Sequence, residues 1–298
     1  MQQPQANAGI SGPWRTVGLA ILAMLAFAAN SLLCRMALGD ALIDAASFTT
    51  LRMVAGAATL LLFVLPRWLR GDRAPVDWRM VLMLFAYMAL FSFAYLTLSA
   101  GTGALLLFGA VQMTMFLVAL RGGERLSAWA WTGLALAAGG LIYLVLPGLT
   151  APDPLGALMM GLAGVAWGVY SLLGRGASRP LEATAANFIF GVPLVLILSL
   201  STLRGIQVAP LGAALAVVSG AVTSGLGYVV WYAALRGLSA GRAATVQLSV
   251  PVIAALGGVL LLDEVLTARL TIASLATLGG IALVLAQRGR SAVGQKLP

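Results

Sequence analysis

Cut wherever Pro, Gly, Asp and Arg cluster, this chain falls into ten apolar stretches, near 14–38, 45–65, 80–98, 102–120, 127–147, 155–174, 184–203, 211–234, 241–261 and 268–287. Each holds roughly 18 to 25 residues, the length an α-helix needs to cross a hydrocarbon layer about 30 Å thick. No other feature narrows the fold so far. A barrel of membrane strands would alternate polar and apolar residues over runs of about ten, and no such alternation occurs. Composition agrees: 61% of the 298 residues are hydrophobic, 9% are charged and the mean hydropathy is +0.99, whereas a soluble domain carries about a quarter charged residues. The pattern predicts an all-α integral membrane protein with ten transmembrane helices.

The first stretch has the look of a secretory signal, with Arg15 ahead of an apolar run from Val17 to Ala29. That run continues to about Leu38, long enough to span, and reads as a retained first helix. The net charge of +9 could suggest nucleic acid. However, the arginines stand singly or in small groups between apolar runs, with no basic stripe and no RNA-binding motif. Cys34, the single cysteine, lies inside an apolar run, and the chain has no histidine. Neither a disulfide, a zinc site nor a redox role follows, and no cofactor or metal is expected. The chain carries no GxxxxGK[ST] loop for ATP and no HExxH, GxSxG or pair of acids at depth, so it reads neither as a self-contained ATP-driven pump nor as an enzyme.

Lysine and arginine concentrate on the cytoplasmic side of membrane helices. With the N-terminus placed inside, fourteen of the eighteen basic residues fall on the inner side, leaving Arg35, Arg52, Arg204 and Arg269 outside. Both termini are therefore expected in the cytoplasm.

A second regularity divides the chain in two. At an offset of 140, Ser31-Leu32-Leu33 and Arg35 match Ser171-Leu172-Leu173 and Arg175, and Leu98-Ser99-Ala100-Gly101 matches Leu238-Ser239-Ala240-Gly241. Glu124 matches Glu264, and Gly139-Gly140 matches Gly279-Gly280. Such recurrence describes a five-helix unit written twice, and an odd number of helices turns the second copy upside down. The expected organisation is a cytoplasmic tail at 1–13, a first repeat at 14–150, a second, inverted repeat at 151–288, and a tail at 289–298. Inverted-topology repeats are typical of secondary transporters, whose substrate sites lie near the midplane where the repeats meet.

The run from Tyr228 to Thr267, YVVWYAALRGLSAGRAATVQLSVPVIAALGGVLLLDEVLT, sets an aromatic helix, a short loop, a helix with a central proline, and an acidic residue with Leu-Thr in sequence. In this it resembles the drug/metabolite transporter superfamily, specifically the ten-helix bacterial metabolite exporters, over essentially the whole chain. The first half matches more loosely, with GERLS at 123–127, and departs where Val111 stands at the position equivalent to Pro251. Within the superfamily the resemblance is closest to aromatic amino acid exporters. It implies an exporter of aromatic and other neutral amino acids in the inner (cytoplasmic) membrane, working by alternating access. Drugs or nucleobase-like metabolites, with or without proton coupling, stand as the alternative cargo.

The offset also locates a site. Phe27, Asn30 and Ser31 correspond to Trp167, Tyr170 and Ser171, each trio on one helical face. In the third and eighth helices Met88, Phe91, Ser92 and Tyr95 correspond to Tyr228, Trp231, Tyr232 and Leu235, and Gln112 and Gln247 add amides in the fourth and ninth. Rings stack on flat apolar solutes, while hydroxyls and amides hold polar ends. The expected substrate-binding set is Phe27, Asn30, Ser31, Phe91, Tyr95, Gln112, Trp167, Tyr170, Ser171, Tyr228, Trp231, Tyr232 and Gln247. The same residues also suit plain packing between helices. Pro193 and Pro251, inside apolar helices, are expected hinges or static kinks. Glu124 and Glu264 are expected to offset the dipoles of the helices that follow them.

All nine acidic residues lie in or beside expected loops, and no titratable group is expected at depth. Proton-coupled carriers usually bury such a group, so facilitated movement or exchange is expected ahead of proton antiport. The expected partners are a small-molecule substrate and the lipid bilayer, with no nucleic acid and no obligatory protein partner, so a monomer suffices.

Overall fold

The computed structural model describes residues 13–71, 75–123, 127–174, 177–238 and 240–294. Among these the regular structure is helical, with one isolated antiparallel bridge between Ile43 and Val208. The first seven spans are single helices: α1 (Pro13–Gly39), α2 (Ala45–Trp68), α3 (Trp78–Ala94), α4 (Ala100–Arg121), α5 (Ala128–Val145), α6 (Pro154–Gly174) and α7 (Pro180–Ser201). The eighth is composite: α8 (Pro210–Val218), a π-helical stretch at Ser219–Leu226, and α9 (Gly227–Leu235). The ninth is broken into α10 (Ala240–Gln247) and α11 (Ser249–Leu261), and α12 (Ala268–Gly294) completes the set. Nine of these spans are long and apolar enough to cross a membrane, and the remaining expected span, Trp78–Ala94, is apolar over 17 residues. Arg73, Glu124, Arg125, Arg175, Ser239, Lys296, residues 1–12 and residues 295–298 lie outside the described residues.

Helix starts follow from local chemistry. The first backbone N–H groups of a helix lack partners, and a side-chain oxygen just ahead of it accepts one. Asp44 accepts from Ser47 N at 2.9 Å, Asp77 from Arg79 N at 2.9 Å, and Asp153 from Gly156 N at 2.7 Å. Ser127 and Thr267, 140 residues apart, cap α5 and α12 in the same way, at 3.2 and 3.1 Å.

Small residues set the closest helix contacts. α5 packs along α12, where a Cβ at Gly140 would meet Thr277 and the Ala273 carbonyl and one at Gly280 would meet the Gly133 carbonyl and Ala137. The offset of 140 carries one side of this contact onto the other. The remaining neighbours are similarly matched: α1 against α9 as α6 against α3, α1 against α11 as α6 against α4, and α2 against α7. Gly139 and Gly279 have open space around them. The outer surface carries large apolar side chains such as Leu62, Leu275 and Leu260, exposed at 73%, 71% and 78%. A soluble protein would hide these, and a bilayer covers them.

Glu264 does not serve the helix that follows it. Its carboxylate accepts from the Ala100 N–H at the start of α4 through both oxygens, at 2.9 Å each, and pairs with Arg35 at 3.3 Å. Arg35 also donates to the carbonyl of Tyr95 at 3.2 Å. One end of the bundle is thus tied across α1, the α3–α4 turn and the α11–α12 segment. Asp44 and Gln207 tie the α1–α2 and α7–α8 connections at the same end, through Asp44 N to Gln207 O at 2.8 Å and Gln207 N to the Asp44 carboxylate at 3.1 Å. At the opposite end Glu182, 2% exposed at its side chain, holds Arg67 at 2.9 Å and Arg179 at 3.0 Å.

Candidate functional site

Two adjoining cavities occupy the middle of the bundle. The first is an enclosed chamber of about 20 Å³, between α1, α2, α3, α4, α6, the π-helical stretch, α9 and the end of α10. The second, of about 260 Å³, runs from the same region to the α6–α7 turn at Ala177 and Pro180, and is called the vestibule below. Trp167, Tyr228 and Gln247 line both and form the wall between them.

The wall is built from stacked rings. Trp167 stacks on Tyr228 at 5.5 Å between centroids and 15° between planes, and on Tyr170 at 5.3 Å and 22°. Tyr87 leans on Trp167 at 4.8 Å, and Phe27 meets the edges of Tyr228 and Trp231 at 6.0 Å. Pro251 cannot donate to the Gln247 carbonyl four residues earlier, and the helix is interrupted between these two residues, at Leu248. The proline therefore sets a helix end where Gln247 reaches both cavities. Its counterpart Val111 lies in an unbroken α4, and α7 runs unbroken through Pro193.

Eleven of the thirteen expected site residues line one or both cavities. Phe27, Asn30, Ser31 and Phe91 face the chamber, Tyr170, Ser171, Trp231 and Tyr232 the vestibule, and Trp167, Tyr228 and Gln247 both. Tyr95 and Gln112 line neither. Tyr95 is wholly buried, its hydroxyl donating to the Ala100 carbonyl at 3.3 Å, and Gln112 is buried in α4.

The expectation that Arg52 lies at the outer side, and that no titratable group sits at depth, is corrected by the structure. Arg52 is 1% exposed and lines the chamber. Its Nε donates to Ser224 Oγ at 3.2 Å and its Nη2 to the Tyr87 hydroxyl at 3.1 Å, while its carbon centre lies 5.0 Å from the Phe91 ring centroid. The physical reason is close approach of two backbones. A Cβ at Gly220 would collide with the Arg52 carbonyl, so only a glycine lets the π-helical stretch settle on α2 and bring hydroxyls to the guanidinium.

That stretch also supplies the other polar contacts of the chamber. Ser219 and Thr223 both donate to the side-chain carbonyl of Asn30, at 2.7 and 3.2 Å. In the vestibule a chain of hydroxyls runs from Asn187 Nδ2 to Tyr170 at 3.3 Å, from Tyr170 to Thr184 at 3.3 Å, and between Thr184 and Tyr232 at 2.7 Å. Among the described residues no Asp or Glu lines either cavity, and no cluster of three or more His, Cys, Asp or Glu could hold a metal.

Sequence reasoning missed Arg52, Tyr87, Thr184, Ser219, Thr223 and Ser224. An arginine eight residues into an apolar stretch was the available signal, since an intramembrane charge marks function more often than it marks a loop.

Comparisons with known proteins fit this architecture. Residues 154–286 match the EamA-like transporter family. The chain is similar to the uncharacterized protein PA1977 of Pseudomonas aeruginosa, with 55% identity over 281 residues, covering 93% of this chain and 97% of that one. A solved crystal structure with 18% identity superimposes with a TM-score of 0.66 over 91% of this chain and 97% of its own, a likeness of fold.

Proposed function

Because the chain belongs to the EamA-like transporter family, within the drug/metabolite transporter superfamily, we propose that it exports aromatic and other neutral amino acids across the inner membrane by alternating access. The family is one of transporters rather than enzymes, and the chain is a multi-pass membrane protein. The observation that carries the cargo is the ring wall. Trp167, Tyr228 and Tyr170 present stacked faces beside a cavity large enough for a small metabolite, with hydroxyls at its margin. Flat side chains bind well to such faces, and the hydroxyls orient a polar end.

Facilitated movement or exchange is the preferred mode, because among the described residues no carboxylate or histidine lines either cavity to take up a proton. Alternating access is supported by helix contacts that exchange under the 140-residue offset, as two inverted repeats would make them. The excess of arginine at the vestibule end, where Arg67 and Arg179 flank Glu182, supports placing that end in the cytoplasm.

The test is uptake of radiolabelled phenylalanine, tryptophan and threonine into liposomes holding the purified protein, with and without a pH gradient, beside Trp167→Ala. Saturable uptake of the aromatic pair that ignores the gradient and falls about tenfold or more in the variant is expected. Uptake driven uphill by the gradient would replace the facilitative mode with proton coupling. No amino acid uptake by folded protein would move the cargo to drugs or nucleobase-like metabolites.

A further inference from the structure

We propose that Arg52 is the anchor for a substrate carboxylate, so that the site recognises its ligands by their negative end and accepts aromatic carboxylates whether or not they carry an ammonium group. This rests on the reading of the two cavities as the substrate site. It goes beyond that reading by naming the group that is recognised and the residue that recognises it.

A guanidinium has five N–H donors in a flat fork and keeps its charge under all ordinary conditions. At 1% exposure, Arg52 uses Nε on Ser224 and Nη2 on Tyr87, and Nη1 has no hydrogen-bond partner. No carboxylate among the described residues pairs with it, although Glu182, likewise buried, is held by two arginines. An uncompensated buried charge is strongly unfavourable, and evolution seldom leaves one without a use. The hydrogen-bond partners Arg52 does have are neutral hydroxyls, and the rings of Tyr87 and Phe91, at 5.4 and 5.0 Å, offset its charge only in part. The hydroxyls fix the plane of the fork and bring no negative charge to it.

The surroundings say what the missing partner is. The chamber, at about 20 Å³, has room for a group of roughly one or two water-sized atoms, which suits the head of a carboxylate and not a ring. Beyond it, the stacked faces of Trp167 and Tyr228 offer the ring a surface. Those two side chains and Gln247 form the shared wall, so a ligand with its head on Arg52 has to part them and lie in the gap. An ammonium group finds no carboxylate on either side of that wall. Its available contacts are ring faces and carbonyl or hydroxyl oxygens, which favour it far less than an ion pair would.

Three ligands of one shape separate these contributions: phenylalanine, 3-phenylpropionate, which lacks the ammonium, and phenethylamine, which lacks the carboxylate. Binding of each to the purified full-length protein is measured by calorimetry. Phenylpropionate is expected to bind at least as tightly as phenylalanine, and phenethylamine about 100-fold more weakly. Arg52→Gln is expected to weaken both carboxylates about 100-fold and leave phenethylamine unchanged. Arg52→Lys, which keeps the charge but not the fork, should lose about tenfold. Comparing the ligands on the unaltered protein needs no variant to fold.

Phenethylamine binding within about tenfold of phenylpropionate would overturn the proposal. So would carboxylate binding that is unchanged in folded Arg52→Gln, or the absence of binding by either carboxylate at millimolar concentration. The two readings fail separately. Phenylpropionate held through Arg52 by a protein that moves no amino acid leaves the anchor standing and removes the amino acid cargo. Phenylalanine transport indifferent to Arg52 does the reverse.

Discussion

The chamber and the vestibule share a wall yet are built on different principles. The chamber rests on a backbone contact, where Gly220 lies against the Arg52 carbonyl, and that approach sets the π-helical stretch whose hydroxyls reach Asn30. Beyond it, away from the vestibule, lie the ties of Arg35 to Glu264 and Asp44 to Gln207. The vestibule is a site of side-chain contact, where tyrosine and threonine hydroxyls touch and where Gly174 has only the flexible end of Met80 nearby. A close backbone contact leaves no room to adjust, while the far end of a flexible side chain can shift aside. The difference assigns rigidity to the charged compartment and compliance to the ring-lined one.

The sharpest way to break this contrast is to add the same kind of bulk to both. Gly220→Ala drives a Cβ into the Arg52 carbonyl and Ala55 and should cost about 3 kcal/mol, seen as loss of the monodisperse peak in detergent. Gly174→Ala meets only Met80 Cε at 3.3 Å, and should leave the thermal midpoint unchanged or raised, by less than about 1 kcal/mol. Equal damage at both positions would erase the distinction.

Asn30→Leu is expected next in size. It strands the Ser219 and Thr223 hydroxyls in a buried place, at a cost of about 1–3 kcal/mol, measured by thermal unfolding. Tyr232→Phe removes a single vestibule bond to Thr184 and should cost about 1 kcal/mol or less.

The ties beyond the chamber can be read through Cys34, the chain's one cysteine, buried beside Arg35. Glu264→Gln removes the ion pair and weakens the Ala100 bonds. Overall stability should move by less than about 1 kcal/mol, while Cys34 alkylation should quicken severalfold as that end loosens. An unchanged rate would mean that packing alone closes it.

The smallest effect concerns pH. Burial acts to raise the Asp44 carboxyl, but the hydrogen bonds from Ser47 and Gln207 outweigh it and hold the group below its ordinary value. Its contribution is therefore fully present above the ordinary carboxylate range, near about pH 4, and fades as the pH falls through the lowered folded value. Asp44→Asn should flatten this part of the acid unfolding curve.

Most of the helical framework was legible because membrane helices announce themselves by length and apolarity, and capping residues such as Ser127 and Thr267 mark their starts. The ring wall was legible through the repeat, which sets Phe27 beside Trp167 in one alignment. Pro193 and Pro251 were equally visible as hinges or kinks, and only the helix at Pro251 is interrupted. Symmetry was blind to whatever it does not share. Under the same offset Arg52 falls on Val192, Ser219 on Arg79, Thr223 on Met83 and Ser224 on Leu84, so the charged half of the site has no echo. Counting arginines by the nearest loop then drew Arg52 to the surface. The π-helical stretch depends on how Gly220 meets α2 in three dimensions, which no local pattern encodes.

A guanidinium fixed between apolar helices also couples this protein to the voltage across its membrane. An elementary charge carried through a full 100 mV drop changes energy by about 2.3 kcal/mol. Any rearrangement that moves the water boundary from one side of Arg52 to the other sends that charge through part of the drop. On the proposed alternating access, the voltage would therefore weigh on the unloaded molecule and bias which face it shows. On the proposed anchoring, a carboxylate that carries no ammonium would cancel the charge of Arg52 and free the loaded molecule from the field, whereas a zwitterion would leave one positive charge in place.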